Sequence, residues 1–327
     1  MGSDLNEAQL LMTAVAALGI GRQGQDAQGR SISGAQGVID NSNCLNNVLS
    51  SVQEYTAGPG VDLGYGMDAC YVAETTSSII LAFRGTLGKG TNNFQDLIAF
   101  LDWLGDFNAE PRTGAPGIPV GNVHSGFYQS VSNLAPFFIK DIIKRRVQSK
   151  KKVVITGYSK GAGMAPLAAA LLRYSNVIAD EVHLYEPPRC GDFNFMLAYN
   201  LAFPNTTRYE YQDDLVPHTP PTPIEMAMLD SSNELKAILH LLYPDCDSWN
   251  YAPVGNLQFV NWDSQIVSDS GDLEMQRMVH LGNDFTQSSM APIQDHALNT
   301  HLFNVLMKAF SCDCTYPTWV DGPAPSK

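Results

Sequence analysis

Positive charge is scarce in this chain. Its 327 residues carry 20 Lys and Arg against 33 Asp and Glu, a formal net charge of −13. That balance argues against nucleic acid as a partner and against electrostatic docking on anionic membranes, since both demand a cationic surface. Long apolar runs are missing as well. No stretch approaches the roughly 18–20 residues of a membrane span, and the run 10–20 is too short. Zinc-type spacing of cysteine and histidine is absent, so no metal is implied. There is no internal repeat, low-complexity block or dividing linker, which points to a single domain over 1–327. Asp4 and Glu7 have the wrong sign for a signal peptide. The opening Met1-Gly2-Ser3 fits an expression remnant standing in for a native leader, so the compartment is unknown and secretion stays open.

What is present describes a well-cored globular protein: 44% hydrophobic and 16% charged residues. The six cysteines, Cys44, Cys70, Cys190, Cys246, Cys312 and Cys314, permit up to three disulfides, although Cys312 and Cys314 sit too close to bridge each other. Periodicity predicts helices over about 5–18, 38–55, 127–147, 193–203, 234–243 and 296–310, with Pro136 marking a start or a kink in the third. A hairpin is predicted over 69–83, and strands over 181–186, 207–211 and 257–262. Strands alternating with helices argue for an α/β fold around a mostly parallel sheet. The Pro-containing tail 315–327 reads as loose.

One segment carries chemistry. The β-branched run Val153-Val154-Ile155-Thr156 ends in Gly157-Tyr158-Ser159-Lys160-Gly161, and a small-residue helical pattern comes directly after it. Strand, serine, helix is the context of a nucleophile elbow, a turn so tight that only glycines leave room for the crossing. It would lift the Ser159 hydroxyl clear of the sheet and aim the Lys160 N–H, at a helix N-terminus, toward a developing oxyanion. The bland alternative is an ordinary strand-to-helix turn with a serine cap.

Further segments occur in order along the chain: Ala82-Phe83-Arg84-Gly85-Thr86, Asp102-Trp103-Leu104-Gly105-Asp106-Phe107, Val123-His124-Ser125-Gly126-Phe127, Pro188-Arg189-Cys190-Gly191 and Asp214-Leu215-Val216-Pro217-His218. With the elbow, their order and spacing resemble the class 3 lipases, the fungal-type triacylglycerol lipases of α/β-hydrolase fold. The resemblance runs from about 69 to 221 and returns at Asp295-His296. It implies a triad of Ser159, Asp214 and His296, an oxyanion hole from Thr86 and Lys160, and a helical lid insert. Chain order supports the triad, because α/β-hydrolases run serine, acid, histidine. Asp213 rivals Asp214 as the acid, and His301 and His280 rival His296 as the base. His124 and Phe127 read as packing residues.

Two departures stand out. Lys160 follows the nucleophile, and Tyr158 precedes it, where better-known members differ; a lysine over the site would alter substrate preference. The candidate lid, 87–101, is longer than expected, with Phe94, Leu97, Ile98, Phe100 and Leu101 crowded together after Gly88 and Gly90. The reading is a serine carboxylester hydrolase, foremost a triacylglycerol lipase acting on ester or lipid substrate at a lipid–water interface, with no cofactor. Phospholipase A1 or feruloyl-esterase activity on the same triad, or a lipase-like scaffold that binds without turnover, are the alternatives.

Overall fold

The computed structural model describes residues 4–25, 29, 31–58, 68–86, 108–229, 234–270, 272–287, 295–296 and 301–319. The candidate lid 87–101 and the Asp102–Phe107 motif lie outside these residues.

An eight-stranded sheet forms the centre. In chain order its strands are β1 (Ser50–Ala57), β2 (Asp68–Glu74), β3 (Ser78–Phe83), β4 (Lys152–Tyr158), β5 (Glu181–Tyr185), β6 (Thr206–Tyr211), β7 (Asn256–Val260) and β8 (Ile266–Ser268). The spatial order is β8-β7-β6-β5-β4-β3-β2-β1. Strands β3 to β7 run parallel to one another, while β1, β2 and β8 pair antiparallel at the two ends.

Strands buried on both faces read as continuous apolar runs, and their period of two splits the core into two layers. Val153, Ile155, Ile79, Leu81 and Phe83 face one layer, covered by helices Ser125–Ser149 and Lys160–Tyr174. Val154, Tyr158, Ile80, Ala82 and Tyr71 face the other, where Glu7–Ala17 and Leu302–Ala309 pack. Each large side chain so buried is worth about 1.5–3 kcal/mol. Among the described residues no helix is long and apolar enough to cross a membrane.

Four elements differ from the sequence reading. The stretch 38–55 is not one helix: Gly34–Asn41 is helical, and Ser50–Ala57 is the edge strand of the sheet. Val48, Val52 and Tyr55 have helical spacing, but the polar turn around Asn46 and Asn47 breaks the chain, and β2 supplies the hydrogen bonds that hold Ser50–Ala57 extended. Helix Ser125–Ser149 continues through Pro136, so the proline is internal to the helix and not its start. The last described helix begins at Leu302, with His301 at its N-cap, leaving His296 in a turn before it. The tail is not loose at its beginning. Thr318–Trp319 pairs antiparallel with Gln23–Gln25, Tyr316 meets Phe303 edge-on, and Cys314 is disulfide-bonded to Cys44, 270 residues away. Cys70, Cys190, Cys246 and Cys312 are free thiols.

Candidate active site

Parallel register puts the site at one edge of the sheet. Phe83 pairs with Gly157, Tyr158 with Tyr185, and Tyr185 with Tyr209, so the carboxyl ends of β3, β4 and β5 lie close to one level and β6 runs two residues further. The residues just past those ends are Thr86, Ser159, Glu186 and Asp214. Open α/β sheets place their ligand sites outside the carboxyl ends of parallel strands.

Ser159 sits in the tight turn between β4 and helix Lys160–Tyr174, at φ 55° and ψ −127°, a conformation that L-residues seldom adopt. The turn needs its glycines. A Cβ on Gly157 would lie 2.4 Å from the Gly161 backbone, and one on Gly161 would lie 2.4 Å from the Phe83 carbonyl oxygen. Strand and helix touch backbone to backbone there.

The structure brings Ser159, His296 and Asp214 together. His296 Nε2 is 2.8 Å from Ser159 Oγ, and His296 Nδ1 is 2.8 Å from Asp214 Oδ2. A carboxylate accepts only, so Nδ1 carries the proton toward Asp214 and Nε2 is left to accept from the serine hydroxyl. The other oxygen of Asp214 accepts from the Val216 N–H at 2.9 Å. All three side chains are buried: Ser159 is 2% exposed, His296 6% and Asp214 1%. Bulk water therefore competes little for these hydrogen bonds.

The rivals are occupied elsewhere. Trp262 Nε1 donates to Asp213 Oδ2 at 2.8 Å, and burial, with Asp284 nearby, raises the Asp213 carboxyl to about 6. His280 stacks on Trp262 with centroids 3.9 Å apart. His301 stacks on Tyr211 at 5.1 Å. His124 accepts from the Phe127 N–H, and burial drives its imidazole down to about 3, so it stays neutral as a packing residue.

Lys160 follows Ser159 in sequence, and Thr86 lies three residues past the end of the neighbouring strand β3. Thr86 Oγ1 is buried with no hydrogen-bond partner among the described residues. The Lys160 ammonium does not lie over the site as a free charge: it donates to Asp68 Oδ1 at 2.8 Å at the start of β2, and the residue is 4% exposed. Burial lowers its basicity, which Asp68 partly restores and Arg84 further opposes. The tether ties the first turn of the elbow helix to the sheet.

Three contacts were not legible beforehand. Tyr158 packs against His296, Asp68 anchors Lys160, and Glu186 reaches the His296 imidazole. Each joins segments far apart in sequence. The only local signal for Glu186 was an acid at the last position of a predicted strand.

This edge sets a serine hydroxyl, an imidazole and a carboxylate within hydrogen-bonding reach of one another, on a fold shared with solved lipases. The triacylglyceride lipase of Rhizomucor miehei superposes with a TM-score of 0.56 at 16% identity, over 90% of this chain and 94% of that one. A lipase from Rhizopus microsporus var. chinensis gives 0.52 at 17% identity, over 89% and 87%. Likeness at such identities establishes the α/β-hydrolase fold. In sequence, the family described as lipase (class 3) matches residues 80–223. A secreted mono- and diacylglycerol lipase A of Penicillium cyclopium is 30% identical over 157 residues, 46% of this chain and 47% of that protein. The chain thus spans about half the length of the curated relative it matches. Residues 80–223, the stretch that carries the elbow and Asp214, are similar to the class 3 lipase family.

Proposed function

We propose that the protein is a serine carboxylester hydrolase, and within that class a lipase of acylglycerols. The observation that carries the reading is the unbroken run of hydrogen bonds from Asp214 through His296 to Ser159. Ser159 Oγ attacks the ester carbonyl while His296 Nε2 takes its proton. Asp214 fixes the imidazole tautomer and stabilises the imidazolium. The oxyanion is met by the Lys160 N–H, first in its helix, and by Thr86, whose unpartnered hydroxyl is a natural donor. Such a donor is worth about 2.7–4 kcal/mol in the transition state. His296 returns the proton to the leaving alcohol, then activates water against the acyl-enzyme.

The candidate lid 87–101 belongs to the same proposal. Its apolar side chains would rest over the site in water and turn to acyl chains at a lipid surface. Secretion fits the oxidised Cys44–Cys314 pair and the secreted relative.

The test is an ester panel: p-nitrophenyl acetate to palmitate, mono-, di- and triacylglycerols, phosphatidylcholine and methyl ferulate. The lipase reading expects long-chain acylglycerols to be preferred, with a jump in rate as tributyrin passes its solubility limit. Preference for phosphatidylcholine or methyl ferulate would move the substrate class, and no jump would remove the lid.

A further inference from the structure

Glu186 is the carboxyl group that the triad does not use. It follows β5, is fully buried, and holds a left-handed backbone at φ 51°. Neither of its carboxyl oxygens has a hydrogen-bond partner among the described residues. Yet Oε2 lies 3.5 Å from His296 Nδ1, and polar atoms of Glu186, Asp214 and His296 all fall within 4.8 Å of one another. Two acids thus face the same ring nitrogen.

Like charges that close, out of water, do not both ionise. Asp214 is the member that holds the charge, because it accepts from the Val216 N–H and faces the Nδ1 proton. Glu186 has no such donor. Burial first, then the charges of Asp214, Asp295 and Glu210, push its carboxyl well above the ordinary range. The groups around it come from three sides: Glu210 on β6, ion-paired with Arg208 and Arg277; Asp214 beyond that strand; and Asp295 with His296 from the C-terminal segment.

We propose that Glu186 is a second acid for His296, a positioning residue that stays neutral while Asp214 is ionised and takes over the negative charge when Asp214 cannot carry it. The pair holds one negative charge and one proton between them, and the two exchange places without any outside reactant. This rests on reading Ser159, His296 and Asp214 as a catalytic triad.

The experiment compares wild type, Asp214→Ala and Asp214→Ala/Glu186→Gln from pH 5 to 9 on a soluble p-nitrophenyl ester. Alanine is chosen because asparagine would still occupy Nδ1. We expect Asp214→Ala to keep a kcat at least about tenfold above the double variant. Its acid limb should also lie at higher pH, because an ionised Glu186 favours the imidazolium and a glutamine does not. Equal kcat and equal limbs in the two variants would overturn the proposal. If wild type itself hydrolyses no ester, the triad reading fails instead. NMR titration of His296 still decides the second acid: its pKa should be higher in the single variant than in the double. Should either variant not fold, the carboxyl carbon of Glu186 in wild type is the measurement. A protonated shift at pH 6 is expected, and an ionised one contradicts the pairing.

Discussion

The Tyr158 hydroxyl donates to the backbone carbonyl of His296, and its ring lies on the imidazole with centroids 5.1 Å apart. The residue before Ser159 therefore holds His296, although 138 positions separate them in the chain. Tyr158→Phe keeps the stack and removes the donor. We expect about 1–2 kcal/mol of lost stability, since a buried carbonyl loses its partner. A fall in kcat of about tenfold at unchanged KM should accompany it, because His296 loses one constraint on its placement. Unaltered kcat in a folded Tyr158→Phe would make the contact purely structural.

The two adjacent aspartates should separate cleanly. Asp214→Asn presents an amide to Nδ1 and favours the wrong tautomer, which costs about 10⁴-fold in kcat in triads of this kind. Asp213→Asn keeps an oxygen for the bond from Trp262, removes one of the two carboxyls that meet there, the other being Asp284, and should stay within about threefold of wild type by the same assay. The reverse order would exchange their roles.

His183 gives a signature in stability rather than in rate. Burial alone would lower its basicity, but Glu181 at 3.6 Å and Glu7 at 3.0 Å override burial and raise it from 6.5 to about 9. A raised folded-state value means the contribution is complete below pH 6.5 and is lost as pH climbs through 9. The difference in Tm between wild type and His183→Gln should therefore shrink steadily over that window. A difference independent of pH would show that the imidazole is neutral throughout.

Much of this architecture was legible because it is local. The elbow is a strand, a serine between glycines and a small-residue helix in one continuous run, and the family resemblance, supported by chain order, then nominated Asp214 and His296. The hairpin and strands β5 and β6 were readable from apolar runs and turn residues. What failed was non-local. Ser50–Ala57 has helical spacing at Val48, Val52 and Tyr55, and only its pairing with β2 makes it a strand. Thr318–Trp319 is too short to announce itself and exists through Gln23–Gln25. Glu186 reaches His296 because β5 lies beside β4 in register, with Tyr185 opposite Tyr158. Lys160 looked like a charge over the site because its partner, Asp68, lies 92 positions earlier.

The central claim is that Ser159 is a nucleophile activated by His296. The most direct measurement is covalent labelling with a fluorophosphonate, located by peptide mass spectrometry, in wild type, Ser159→Ala and His296→Ala. The account predicts one modified residue, Ser159, in wild type, none in Ser159→Ala, and labelling slowed by orders of magnitude in His296→Ala. Correctly folded wild type that remains unlabelled, or labelling of equal speed without His296, would contradict it.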